Sequence, residues 1–142
     1  NRNITCSAAA GTAIACGEKT NNEHIGVNPE GKPLESIAYV LHDKGYNVGI
    51  MTTVPVNHAT PAAFYGHNSS RYGYYDISRE IVDSGFEFFG GSGFYNYKGR
   101  EGDKPAVDIY IEENGYDVCY GPKEFKARNN DRNILRNALK CQ

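Results

Sequence analysis

Residues 33–52, PLESIAYVLHDKGYNVGIMT, carry the pattern on which the fold turns. Leu34, Ile37, Ala38 and Leu41 recur at helical spacing and so share one face. Pro33 suits a helix start, and Gly45 suits a left-handed stop because glycine enters that region without steric cost. An aromatic residue and a short apolar run follow, so 46–52 reads as a strand. The same junction returns at Gly85-Phe86-Glu87-Phe88 and at Gly115-Tyr116-Asp117-Val118. Ahead of the second copy, Asp76 is placed to cap a helix carrying Ile77 and Ile81. Ahead of the third, Asp103 and Pro105 open one carrying Val107, Tyr110 and Ile111. The two further strands expected are 86–89 and 116–120. Helices feeding strands three times over imply crossover connections and an α/β fold with a mainly parallel sheet, covered on both faces. Ile4-Thr5 reads as the end of one more strand. Asn130 to Cys141 reads as a closing amphipathic helix with Ile134, Leu135, Ala138 and Leu139 on its apolar face.

The 142 residues suit a single α/β domain, and no linker long enough to divide them is present. A formal net charge of -2 without any Lys/Arg run offers no attraction for nucleic acid. The most apolar window, Ala8 to Cys16, falls well short of the roughly 20 residues that a membrane-spanning helix requires. Cys6, Cys16, Cys119 and Cys141 form neither a CxxC pair nor a metal-binding spacing, so they define no zinc knuckle and no disulfide framework. The chain opens at Asn1 without an initiator Met or an apolar leader, and the expectation is that its natural N-terminus lies upstream.

In such a sheet, chemistry gathers where strands end and helices begin. One such place is residues 5–20, TCSAAAGTAIACGEKT. The Gly-Glu-Lys-Thr end is no phosphate loop: five residues separate Gly11 from Gly17, and Glu18 would face the phosphate. Gly17 is better placed as a helix stop. Ser7 stands at a strand-to-helix turn, where unpaired backbone amides and the positive helix end favour an anion. It is read both as an ordinary cap and as a nucleophile. Cys6 is a rival nucleophile, but as the last residue before the helix it is expected to point into the core, and no Cys-x5-Arg loop follows it. A second place is residues 58–71, HATPAAFYGHNSSR. His58, Thr60 and Arg71 bring an imidazole, a hydroxyl and a guanidinium into one segment after a strand, which suits an anion-and-metal site. Capping by Thr60 and surface pairing by Arg71 explain the same residues without function. His24 and His42 read as loop and helix-surface residues. Finally, FEFFGGSGFYNY at 86–97 ends a strand in a Gly-rich turn among aromatics; it suits a substrate wall or, more simply, core packing.

Taken together, these motifs resemble the alkaline phosphatase family in order and spacing. Its nucleophile signature has the form T-D-S-A-A-x-x-T-A, then Gly and K-T-x-N. The chain reads Thr5-Cys6-Ser7-Ala8-Ala9-Ala10-Gly11-Thr12-Ala13, then Gly17, Lys19-Thr20 and Asn22. The family's [DH]-A-T-P-A-A block, followed at fixed distance by S-R, is matched by His58 to Ala63 and Ser70-Arg71. Its strand ending in Gly-Gly-x-Gly is matched by Phe88 to Gly93. The resemblance runs to about Tyr120. It implies a three-layer α/β/α sandwich and hydrolysis of phosphate monoesters through a phosphoserine intermediate. By the same resemblance, Ser7 is the nucleophile, Arg71 binds the phosphate, and Thr60 ligates magnesium with His58 nearby. Two zinc ions activate the serine and stabilise the leaving oxygen. The family is usually periplasmic or secreted and usually homodimeric.

Two positions depart from the pattern. Cys6 replaces the Asp that orients the arginine, so Arg71 is expected to be held less firmly unless another group substitutes. His58 replaces the Asp found in many members, and imidazole suits zinc or cobalt better than magnesium. The family's Asp and His zinc ligands lie outside the matched stretch, so the chain is expected to be an internal part of a larger enzyme and to be inactive alone. Two other readings fit the same residues: a noncatalytic α/β anion-binding module, and a phosphodiesterase or sulfatase-like member of the same superfamily.

Overall fold

A computed structural model describes residues 4–128 and 137–140. Ten elements follow in order: α1 (Ser7–Cys16), α2 (Ile37–Asp43), β1 (Gly49–Met51), α3 (Ala59–Ala62), α4 (Tyr74–Ser84), β2 (Phe88–Gly91), α5 (Val107–Glu113), β3 (Asp117–Tyr120), α6 (Pro122–Arg128) and β4 (Asn137–Lys140). The strands form one sheet in the order β1-β2-β4-β3, and every neighbouring pair is parallel. The α/β class and the parallel sheet expected from the sequence are therefore present.

The three glycine junctions work as read. Gly45, Gly85 and Gly115 all have positive φ, and each lies between a helix and the strand that follows. The strands start later than the sequence suggests, at Gly49, Phe88 and Asp117. The residues after each glycine turn instead into packing: Phe86 is fully buried and Tyr116 nearly so. The Tyr116 hydroxyl donates toward the Phe86 carbonyl at 2.7 Å, so the aromatic residue of one junction ties down that of another.

Helix starts differ in detail. Ser36 precedes α2, but its hydroxyl donates to the Phe64 carbonyl at 2.6 Å and caps no amide. Asp76 lies inside the first turn of α4, after Gly73, and Ala106 precedes α5. Thr5 and Cys6 lead into α1 without joining the sheet. At the far end, Asn137–Lys140 is a strand between β2 and β3 where the helical pattern of Ala138 and Leu139 predicted a helix. β2 and β3 offer it paired backbone on both sides, and that tertiary pairing overrides local periodicity. The remainder of the expected helix, including Ile134, Leu135 and Cys141, lies outside the described residues.

α4 and α5 pack against each other and share one core with the sheet: Ile77, Ile81, Phe86, Phe89, Val107, Ile111 and Val118 are at most 2% exposed. Phe89 meets Tyr65 edge-on at 5.2 Å. Beyond Met51 the chain keeps close to the end of β2, with Thr52 N–H donating to Gly90, Ser92 N–H to Val54 and Val56 N–H to Gly93. Gly91 permits this approach, because a Cβ there would sit 2.7 Å from the Val54 carbonyl oxygen and 2.8 Å from the Val56 side chain. This contact delivers Asn57 and His58 to the carboxyl ends of the strands. Gly91→Ala should therefore lower stability by about 1–3 kcal/mol through overpacking. Urea unfolding measures it, and an unchanged midpoint would mean that the loop yields freely.

Candidate active site

Ser7 is the first residue of α1 and is exposed. Before it, Cys6 has extended backbone (φ -75, ψ 163), and its carbonyl accepts the first helical bond from Ala10 at 2.9 Å. The next amides have no partner within the helix, so Ser7 stands where an anion is stabilised. Gly17 ends α1 at φ 73, as the sequence predicts, and the chain loops back toward Cys6. Asn22 takes the Cys6 N–H on its Oδ1 at 3.0 Å. Glu23, a non-glycine residue at φ 76, donates its N–H to Cys6 Sγ at 3.1 Å.

Cys6 is half-buried at the edge of the core, not enclosed within it. Burial pushes its thiol pKa upward, but the amides of Ala9, Glu23 and Ala8 and the charge of Arg71 outweigh that and bring it below the ordinary value. Cys16 is the opposite case, raised by burial and by Glu18.

Small side chains let α3 press against α1. Ala8, Ala9 and Ala15 of α1 and Ala59 and Ala62 of α3 are buried, and a Cβ on Gly11 would lie 3.2 Å from that of Ala63. Immediately before α3 lies His58, whose Nε2 faces Arg71 Nη2 at 3.3 Å. Arg71 Nη1 reaches Ser7 Oγ at 3.4 Å, across 64 positions of sequence. Burial, then the neighbouring guanidinium, lowers the His58 pKa, so the ring is neutral near pH 7 and its Nε2 accepts from Arg71. Two atoms here are buried without a partner among the described residues: His58 Nδ1 and Arg71 Nε.

Of the four residues singled out from sequence, three meet directly: Ser7, His58 and Arg71. Thr60 is exposed on α3 and borders a groove of about 370 Å³ between α2 and β1, with Leu41, Met51, Thr52 and Phe64 around it. His24 bonds within its own loop, to Thr20 Oγ1 and the Asn28 carbonyl, and His42 contacts Glu87 at 3.4 Å. Two residues that sequence reasoning passed over join the site. Asn57 lies fully buried beneath it, and the Tyr95 ring flanks His58 with centroids 6.2 Å apart. Tyr95 belongs to the Gly-rich aromatic stretch already marked; Asn57 has no local signature.

The Thr60 hydroxyl is one oxygen donor, and the neutral His58 ring spends its single acceptor nitrogen on Arg71, so it could bind a metal only by giving up that contact. No three His, Cys, Asp or Glu side chains converge among the described residues, so these residues alone do not fit a zinc ion. Nor is any described helix long and apolar enough to cross a membrane.

The geometry defines an α/β protein with a serine at a helix start opposed by an arginine. The alkaline phosphatase family model matches residues 1–88. Alkaline phosphatase 4 of Bacillus subtilis is 35% identical over 141 residues, a match that covers 94% of this chain and 29% of that relative. Alkaline phosphatase from the Antarctic bacterium TAB5 superposes with a TM-score of 0.83 at 29% identity, over 98% of this chain and 40% of that one. A His-to-Asp mutant of the TAB5 enzyme with magnesium bound superposes at 0.82 and 28% identity, over 96% of this chain and 38% of that one. The chain belongs to the alkaline phosphatase family. It spans less than a third of the length of the Bacillus relative.

The opposed thiol shifts give a direct test. Under native conditions iodoacetamide should alkylate Cys6 at lower pH than Cys16, since only the thiolate reacts. Peptide mapping across a pH series measures both, and equal apparent pKa values would contradict this assignment.

Proposed function

We propose that this chain is the nucleophile-bearing part of a longer alkaline phosphatase that hydrolyses phosphate monoesters through a phosphoserine. The observation that carries the reading is the 3.4 Å approach of Arg71 Nη1 to Ser7 Oγ at the start of α1. Ser7 Oγ attacks phosphorus, the Oγ–P bond forms, and the P–O bond to the alcohol breaks. Water then attacks the same phosphorus, releasing inorganic phosphate and regenerating the serine. Throughout, Arg71 pairs its planar fork with two nonbridging oxygens, and the open amides of α1 add further positive potential. His58 takes one Arg71 N–H and so keeps the guanidinium turned toward Ser7. By family resemblance, zinc and magnesium held largely by further residues of the longer enzyme would supply Lewis-acid charge there. By the same resemblance Thr60 would ligate magnesium, with His58 beside it. An exported, dimeric enzyme completes the family reading.

Hydrolysis of p-nitrophenyl phosphate with added zinc and magnesium tests the assignment. The full-length chain should turn over in a Ser7-dependent way, with Ser7→Ala lowering kcat by at least about 100-fold. The 142-residue chain should show little or no turnover, because its described residues do not complete a metal site. Substantial activity of the short chain, abolished by Ser7→Ala, would overturn that part. Calorimetric phosphate binding without metal, in a full-length chain lacking activity, would favour the noncatalytic anion-binding module.

On this reading residue 58 adjoins the magnesium site. His58→Asp in the full-length chain should raise magnesium reactivation after chelation relative to zinc or cobalt, since a carboxylate is the harder donor. An unchanged order of metals would remove His58 from the magnesium site.

A further inference from the structure

The Arg71 side chain has few fixings of its own. Its two terminal nitrogens meet Ser7 and His58, its Nε is buried without a partner among the described residues, and the Tyr72 ring lies 5.9 Å from the guanidinium carbon. Its aim must therefore come from the backbones that carry Arg71 and His58. Those backbones are joined by one side chain. Asn57, 0% exposed, directly precedes His58. Its Nδ2 lies 3.0 Å from the Tyr74 carbonyl and 2.8 Å from Ser78 Oγ, both on α4, which begins three residues after Arg71. The same Nδ2 is 2.9 Å from the Tyr95 carbonyl, and Oδ1 accepts the Tyr95 N–H at 2.9 Å. Both peptide groups of Tyr95 are thus engaged by one amide, and its ring stands against His58.

We propose that Asn57 is the positioning residue of the phosphate-binding arm, fixing the relative placement of His58, Arg71 and Tyr95. The proposal rests on the phosphatase reading above. A buried amide is suited to this task. It donates and accepts at once, and its short side chain ties α4 to two segments that the Val56–Gly93 backbone bond already joins. With the acid before Ser7 replaced by Cys6, the His58–Arg71 contact holds the arginine, and that contact is only as exact as the Asn57 anchor.

The test uses the full-length chain, with kinetic constants normalised to active sites counted by the initial burst of p-nitrophenol. Asn57→Ala should raise the inhibition constant for inorganic phosphate and the KM for p-nitrophenyl phosphate about tenfold. The kcat per counted site should change less than about threefold. Ser84→Ala, which removes a buried hydroxyl bonded to the Ile81 carbonyl away from the site, should lower the melting temperature without moving either constant. Phosphate inhibition within twofold of the unsubstituted enzyme in Asn57→Ala would overturn the proposal, leaving Asn57 purely structural. If Asn57→Ala does not fold, Asn57→Asp keeps the Oδ1 that accepts the Tyr95 N–H and removes the amide donor that reaches α4; a rise in the phosphate constant of about threefold or more supports the proposal, and no rise overturns it. Loss of Ser7-dependent hydrolysis in the unsubstituted enzyme would instead bring down the functional reading itself.

Discussion

Everything at this site depends on how closely two helices approach. Leucine-sized side chains would hold α1 and α3 apart, but the facing positions carry Ala8, Gly11, Ala59, Ala62 and Ala63. A methyl group on Gly11 would already crowd Ala63 at 3.2 Å. The run of small residues after Ser7 is therefore a packing requirement as much as a signature. It sets the serine beside the peptide that carries His58, and from there Arg71 can touch both. The second constraint is Gly91, whose missing side chain lets the segment after β1 lie on the end of β2. One glycine fixes the helix pair, the other fixes the loop that starts α3.

Much of this was legible in the sequence because the signals are local. A glycine after a helical stripe and before an apolar run needs no tertiary knowledge, and all three such junctions are present with positive φ. Strand lengths were less legible. Tyr46, Phe86 and Tyr116 have the composition of strand residues, but Phe86 and Tyr116 spend their aromatic surface on the core while the ladder begins two residues after Phe86 and one after Tyr116. The segment Asn137–Lys140 was misread for the opposite reason: its helical spacing is real, and two strands claiming its backbone decide against it.

The site divides in the same way. Ser7, His58, Thr60 and Arg71 stood out only as an ordered set, since each alone is explained by capping or surface pairing. Asn57 was invisible because a buried amide that bridges segments 17, 21 and 38 residues away leaves no trace in its neighbourhood. Tyr95 was seen as one aromatic among several, with nothing to show that it faces His58.

Cys6 sits among donors that a thiol answers only in part. The surroundings of residue 6 are built for an acceptor. Glu23 holds a left-handed conformation, which costs of order 1 kcal/mol for a residue with a side chain, and its amide points at the sulfur. The amides of Ala8 and Ala9 and the Arg71 charge favour a negative group there as well. A carboxylate would answer these donors and orient the arginine; a thiol answers them weakly, as a small polarizable group. The arginine is held instead from the opposite side, by an imidazole whose burial and whose positive neighbour both keep it neutral. A protonated ring would set two cations 3.3 Å apart, so the contact exists only while His58 is an acceptor. The aim of Arg71 is thus set from the segment that begins α3, and it depends on what anchors that segment.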